Sequence, residues 1–280
     1  MSRSYLKWVG GKARSVQSIV PKFPKKYNVY HEPFFGSGVV YFTVNPERSR
    51  VSDYNFSLVE THVQVALRLD RVKAALQEMD NTSEDYYALR EEYNNYILNG
   101  PDHHDLARQA AIFIYLNRCG FNGLYRVNKS GGFNVPYGKR KNQPHHDIFE
   151  VLEECSEKLK RTTIFTQDFR RALSHCEEGD FVYLDPPYLE ELEGSFTSYN
   201  KNGFTPYDHE ELANELDVLD QKGVKFAMSN SDTSATHLIY GVNPKRKGDK
   251  WKCHKIYTTR SVSRSASGRG IHRELLITNY

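Results

Sequence analysis

At 280 residues, with 39% hydrophobic residues, a formal charge of +3 at pH 7 and a mean hydropathy of −0.67, the chain is long enough to bury a sizeable core as one large domain or two modest ones. It carries no apolar run of roughly eighteen residues and no charged-then-apolar leader, so we expect neither a membrane span nor a signal peptide, and a cytoplasmic location. Cys119, Cys155, Cys176 and Cys253 form no CxxC pair, which argues against zinc and fits reduced thiols.

Tyr5 to Lys12 brackets the pair Gly10-Gly11 with aromatic residues and cations, a pattern that lets backbone approach a ligand while Lys12 meets a carboxylate. A plain turn before a helix at Ser15 to Val20 would look the same. Val29, Tyr30 and His31 predict a strand, Glu32 to Gly38 the loop after it and Val39 to Val44 a helix start, so glycines lie where a ligand can sit against backbone and a helix N-terminus. Arg50 to Ser52 predict the next strand. Asp53 at its end stands at the interval where nucleotide-binding sheets place an acid on ribose hydroxyls, although a turn or cap aspartate is the common alternative.

From Leu58 to about Asn99 the apolar spacing is helical, with a restart at Thr82-Ser83, and Leu106 to Cys119 predicts a further helix. Phe121 to Lys141 breaks that pattern. Its Ser-Gly-Gly turn between alternating apolar residues predicts a β-hairpin carrying Phe121, Asn122, Arg126, Tyr137, Lys139, Arg140 and Lys141, side chains suited to wedging into a base stack, reading guanine and gripping phosphate. A hairpin that merely caps the helices is the alternative. Arg126 is the residue we expect to read a base.

Asp147 to Leu159 predicts a helix, with Asp147 as its cap, and Thr162 to Thr166 a strand. Asp168 and Phe169 after it suit an adenine amine and ring, or an ordinary turn. Phe181 to Leu184 is a short continuous apolar run of the kind buried in a parallel sheet, and it runs straight into Asp185-Pro186-Pro187-Tyr188. Neither proline has an N–H for a ladder, so a rigid loop follows at the carboxyl end of a strand, where open α/β sheets place ligands. Phe196 to Asn202, aromatic and polar, suits a mobile lid over a target base bound at that loop. Asp208 to Gln221 predicts a helix, Val224 to Ser229 a strand with Asn230 to Asp232 as its loop, and Trp251 to Tyr257 and Glu274 to Thr278 two strands around a basic loop at Ser261 to Gly270.

The cations fall into clusters: Lys22, Lys25 and Lys26; Lys139, Arg140 and Lys141; Lys245, Arg246, Lys247, Lys250 and Lys252; Arg260, Arg264, Arg269 and Arg273. The net charge alone would not establish nucleic-acid binding, but clusters flanking the site loops favour it. His103-His104 and His145-His146 lie in polar stretches and read as surface residues; no metal is expected.

The Asp-Pro-Pro-Tyr loop resembles the signature of the amino methyltransferases, which move a methyl group from S-adenosyl-L-methionine to an exocyclic amine of a nucleobase. The N6 lone pair of adenine is delocalised into the ring. Acceptors that hold its amino hydrogens favour a tetrahedral, nucleophilic nitrogen, and a carboxylate from Asp185 with the Pro186 carbonyl would be two of them, while Tyr188 would stack on the base.

Several further blocks resemble the Dam-type DNA adenine-N6 methyltransferases, in that family's order: Leu6-Lys7-Trp8 with Gly10-Gly11-Lys12, Glu32-Pro33-Phe34 with Gly36 and Gly38, Asp53, Leu116-Asn117-Arg118 with Gly120 to Leu124, Phe133 to Pro136, Asp185 to Tyr188, and Glu274-Leu275-Leu276. The resemblance implies a Rossmann-like α/β methyltransferase sheet in residues 1–57 and 161–280, with a mainly helical target-recognition insert carrying the hairpin in 58–160. It implies catalytic Asp185, Pro186, Pro187 and Tyr188. The cofactor residues it implies are Trp8, Lys12, Glu32, Phe35, Gly36, Asp53, Asp168, Phe169 and Asp185, and the DNA contacts are Lys7, Arg118, Phe121, Asn122, Leu124, Arg126, Pro136, Lys139 and Arg140. The activity implied is methyl transfer to N6 of an adenine flipped out of double-stranded DNA, within GATC, by a monomer releasing S-adenosyl-L-homocysteine. Phe121, where the family often has tyrosine, and Lys139-Arg140, in place of an arginine and an aromatic, leave the outer base of the site open. An RNA adenine methyltransferase and a non-catalytic DNA-binding homologue are the alternatives. Asp185, where glutamine methyltransferases carry asparagine, and the hairpin argue against a protein substrate.

Overall fold

The computed structural model describes residues 4–99, 105–139, 143, 147–188, 204–242, 250–259 and 271–280. Arg140, Lys141, the two histidine pairs, the lid at Phe196 to Asn202, the loop at Ser261 to Gly270 and the cluster Lys245 to Lys247 lie outside them. Seven strands, β1 (Tyr30–Glu32), β2 (Ser49–Asp53), β3 (Thr162–Thr166), β4 (Phe181–Leu184), β5 (Lys225–Ser231), β6 (Lys252–Thr259) and β7 (Ile271–Thr278), follow the order β3-β2-β1-β4-β5-β7-β6 in one sheet. This is the mixed α/β architecture expected from the sequence. By internal contacts the chain divides into two units, Met1–Gly11 with Phe35–Glu47 and Asp53–Thr166, and Lys12–Phe34 with Arg48–Ser52 and Gln167–Tyr280.

In the second unit β1 pairs parallel with β2 and β4, and β4 with β5, whereas β7 runs antiparallel to β5 and β6. All four residues of β4 are buried, as a strand covered on both faces requires. Its face carries Val182 and Leu184 into a core with Phe226, Met228, Leu212, Leu216, Leu275 and Ile277. The short α1 (Val16–Ile19) continues as a 3-10 turn at Val20–Lys22, where Pro21 supplies a preset φ. The remaining helices here are α8 (Phe169–Ser174), α9 (Pro206–Gln221) and α10 (Ser234–Ile239). Thr205 and Asp208 close a capping box at the start of α9. Register sets Ser231 opposite Glu274, so Glu274 sits at the carboxyl end of β5. Asn230 and Ser231, expected in a loop, continue β5 because β7 supplies a ladder for them.

The first unit holds α2 (Val39–Val44), α3 (Phe56–Leu67), α4 (Leu69–Gln77), α5 (Ser83–Asn99), α6 (Leu106–Cys119) and α7 (Phe149–Leu159). The expected long helical stretch is three helices, the first break falling at Arg68, whose φ of −138° is not helical. Asn55 caps α3, the Thr82 hydroxyl accepts from Asp85 N–H at the start of α5, and Asp105 caps α6. Asp147 does not cap α7. It faces the Arg118 guanidinium at 2.5 Å, and Ile148 stands at the cap. The two arms of the expected hairpin touch at isolated antiparallel bridges, Gly120 with Tyr137 and Val127 with Phe133, rather than along a continuous ladder. Pro136 has no N–H to contribute there, and a 3-10 turn at Phe121–Gly123 bends the first arm.

Candidate active site

In the second unit β4 delivers Asp185, Pro186, Pro187 and Tyr188 directly from a buried strand. Lys12 Nζ lies 2.8 Å from Asp185 Oδ1 and 4.7 Å from the centre of the Tyr188 ring, with the lysine side chain 4% exposed and the carboxylate 18%. Burial pushes the Asp185 carboxyl up, and the Lys12 ammonium pulls it back without cancelling the rise. The Tyr188 hydroxyl donates to Glu274 at 3.1 Å, and burial, followed by the charges of Asp185 and Glu274, drives its acidity down. Tyr188 is therefore a neutral ring pinned at its far end, while Asp185 is an acceptor held beside a cation.

His209 fixes the same loop from another side. Its imidazole is 1% exposed, bonded to the Pro187 backbone and, through Nδ1, to the Tyr240 hydroxyl. Desolvation holds it neutral, with a pKa lowered to about 4. Glu32 at the end of β1 is buried and accepts from the Tyr30 hydroxyl at 2.6 Å. Phe169 is buried, stacking on Phe34 at 5.6 Å and packing on Phe204 at the same separation. Asp168 caps α8 and pairs with Arg170, whose guanidinium also takes Asp208 and Glu211. The acidic groups expected at this end are thus already engaged, though a carboxylate with about four lone-pair sites keeps acceptor capacity.

In the first unit Trp8 stacks on Tyr125 at 5.5 Å and 28°, with Phe113 beyond at 6.4 Å. A side chain at Gly36, where φ is +51°, would come within 3.0 Å of the Trp8 ring, and one at Gly38, where φ is +70°, within 2.8 Å of Phe35. Only glycine fits either position. The peptides around Gly36 are held on both sides. Asp53 Oδ2 accepts from Gly36 N–H at 2.9 Å while Oδ1 accepts from Asn55 N–H, and the Gly36 carbonyl accepts from His62 Nε2 at 2.9 Å. His62 is fully buried, takes the Tyr5 hydroxyl on Nδ1 and, desolvated, has a pKa lowered to about 4. Desolvation raises Asp53 in turn, partly offset by the backbone N–H groups it accepts. Phe35 packs edge-on against His62 at 4.7 Å.

The arms at 120–139 expose Phe121, Asn122, Arg126, Pro136 and Lys139, and leave Leu124 half-buried. Asn122 and Lys139 adopt left-handed φ values of 54° and 51°. Arg118 is only 10% exposed and ion-paired with Asp147. Lys7 is exposed, and its backbone is stapled by buried Asn117, which accepts from Lys7 N–H and donates to the carbonyls of Lys7 and Gly123. Sequence reasoning gave no role to Asn117, Tyr125, His62, His209 or Glu274. Only Asn117 and Glu274 carried a signal, as parts of the quoted blocks. Among the described residues no group of His, Cys, Asp and Glu is arranged to hold a metal ion, and no helix is long and apolar enough to cross a membrane.

A family model described as D12 class N6 adenine-specific DNA methyltransferase matches residues 8–252. The chain is 35% identical over 283 residues to the Type II methyltransferase M1.LlaDCHI of Lactococcus lactis subsp. cremoris, covering 99% of this chain and 95% of that one. It is 32% identical over 280 residues to the DNA adenine methylase of Escherichia coli (strain K12), covering 98% and 94%, and 32% over 282 residues to that of Vibrio cholerae serotype O1 (strain ATCC 39315 / El Tor Inaba N16961), covering 98% and 95%.

Proposed function

Because the chain belongs to the D12 class N6 adenine-specific DNA methyltransferases, we propose that it methylates N6 of an adenine turned out of double-stranded DNA, within GATC, with S-adenosyl-L-methionine as donor. When bound, S-adenosyl-L-methionine supplies an electrophilic methyl group and leaves as S-adenosyl-L-homocysteine. The residues that fit it are Gly36, which must lack a side chain beside Trp8, with Phe35 before it in sequence and Asp53 bonded to its N–H, and Lys12, Glu32, Asp168, Phe169 and Asp185. The catalytic part is assigned to residues 1–57 and 161–280 and target recognition to 58–160. The enzyme acts as a monomer in the cytoplasm.

The observation that carries this reading is the buried Lys12 to Asp185 pair beside Tyr188. Burial alone would leave Asp185 protonated more readily, and a protonated carboxyl loses acceptor capacity. The Lys12 charge opposes that rise and favours the ionised form that accepts an amino hydrogen. The Pro186 carbonyl is the second acceptor. Tyr188, neutral and tied to Glu274, offers a fixed ring face for the base. These groups hold the amine in position before any charge develops, and no strong base is needed because the nitrogen becomes acidic only on gaining the methyl. Phe121 and Asn122 occupy the duplex at the flipped adenine, Lys7 and Arg126 read bases, Leu124 and Pro136 meet a thymine methyl, and Arg118, Lys139 and Arg140 contact the DNA.

The test is transfer of labelled methyl from S-adenosyl-L-methionine to a short GATC duplex beside duplexes altered at each of the four positions, with an RNA of the same sequence. Incorporation confined to the intact DNA site is expected. Incorporation only into RNA would overturn the substrate, and equal incorporation into every altered duplex would overturn the recognition assignment.

A further inference from the structure

We infer that Asn134 is a specificity-determining residue that presents Arg126 to the base it reads, an inference that rests on the reading of Arg126 as a base contact. The two residues face each other across the arms and are tied at three points. Asn134 N–H donates to the Arg126 carbonyl at 3.0 Å, Arg126 Nε donates to Asn134 Oδ1 at 2.7 Å, and Arg126 Nη2 donates to the Asn134 carbonyl at 3.0 Å. A guanidinium has five N–H donors in a rigid plane. Asn134 takes the edge formed by Nε and one hydrogen of Nη2, which leaves both Nη1 hydrogens and the other Nη2 hydrogen as an outward fork. Two parallel donors of that kind match O6 and N7 of guanine.

What makes this orientation useful is the anchorage of Asn134 itself. Its neighbours on either side are bound to α5: Asn94 accepts from Phe133 N–H at 2.7 Å and donates to the Phe133 carbonyl at 3.1 Å, and the Tyr86 hydroxyl and Arg90 both donate to the Val135 carbonyl. Phe133 and Val135 are buried. Arg126 is exposed and carries several rotatable bonds, so without a partner most of its rotamers would point the fork elsewhere. Asn134 transfers the rigidity of α5 to the guanidinium. Discrimination by Arg126 then costs less ordering when DNA arrives.

The test uses the full chain carrying Asn134→Leu, which keeps the branching of the side chain and removes the Oδ1 acceptor, with Asn134→Asp restoring an acceptor, Arg126→Ala, and the Arg126→Ala/Asn134→Leu double variant. The readout is the ratio of kcat/KM on the GATC duplex to that on a duplex with the guanine replaced by 2-aminopurine, which lacks O6, or by 7-deazaguanine, which lacks N7, alongside methyl transfer at saturating DNA. Asn134→Leu is expected to lower the ratio about tenfold with saturated transfer preserved, Asn134→Asp to retain most of it, and the Leu change to add nothing once Arg126 is alanine. A full ratio in Asn134→Leu, with a reduced one in Arg126→Ala, would overturn the inference and leave the reading of Arg126 standing. An unchanged ratio in Arg126→Ala would overturn that reading itself. A loss of saturated transfer in Asn134→Leu that persists in the double variant would mark Asn134 as a fold residue and likewise overturn the inference.

Discussion

The loop at Asp185 to Tyr188 and the arms at 120–139 both follow a buried regular element, yet they are held by opposite means. The loop is fixed from within, by two prolines, a buried ion pair, a Tyr188 hydroxyl on Glu274 and a neutral His209 on the Pro187 backbone. The arms are fixed from beneath, by side chains of α5 and α6 that bond their backbone: Tyr86, Arg90, Asn94 and Asn117. The difference follows from what each must do. A group that sets charge at a reacting atom works best where water is excluded, so its environment holds it. Side chains that enter a groove must stay exposed, so they are held mainly through the backbone under them.

The sharpest break of that comparison is Lys12→Met, which leaves Asp185 buried without its cation. Unfolding in urea at pH 7 should show a loss of about 3–5 kcal/mol. Asp185 in the variant has a folded pKa raised even further above its unfolded value, so its protonated form is the stable one. The deficit should shrink as pH falls and widen as pH rises through that folded pKa. A deficit independent of pH would mean that the pair does not hold the loop.

His62 and His209 sharpen the comparison, because each secures a motif loop as a neutral imidazole. Both have folded pKa values of about 4 against an ordinary 6.5. The unfolded chain binds the extra proton first, so stability is intact above pH 6.5 and is lost as pH falls towards 4. Each histidine contributes a drop of about 3 kcal/mol over that window. Stability measured from pH 7 to 4 should therefore fall less steeply, by that amount, in His62→Gln than in the unsubstituted chain. An unchanged slope would show that His62 is not held neutral.

The smallest effect is expected at the arms. Asn94→Ala removes two bonds to Phe133 and should cost about 1–2 kcal/mol of stability. Amide exchange at Asn128 to Val135 should rise while exchange in β4 stays unchanged. Equal loosening of both regions would erase the distinction between them.

Much of the frame was legible in the sequence because it rests on local pattern. The apolar run of β4, the bounds of α6 and β3, and Asp53 at the end of β2 follow from periodicity, from prolines and from short spacings. What stayed hidden depends on contacts between distant positions. Glu274 reaches Tyr188 across 86 positions, and only strand register brings it there. His62 and His209 look like ordinary members of amphipathic helices, and nothing in their neighbours tells that each holds the backbone of a loop. Asp147 precedes a helix and suits a cap, but Arg118 offers a stronger, charged partner. Asn134 reads as part of the short block Phe133 to Pro136, with no chemistry of its own until Arg126 is seen lying against it.

The most direct test of the central claim is a single-turnover measurement of methyl transfer to a GATC duplex by Asp185→Ala, with DNA binding followed in the same samples. The account predicts binding within a few-fold of the unsubstituted chain and no transfer of label to N6 of adenine. Transfer at the unsubstituted rate would contradict it, because the acceptor held beside Lys12 would then have no part in the chemistry.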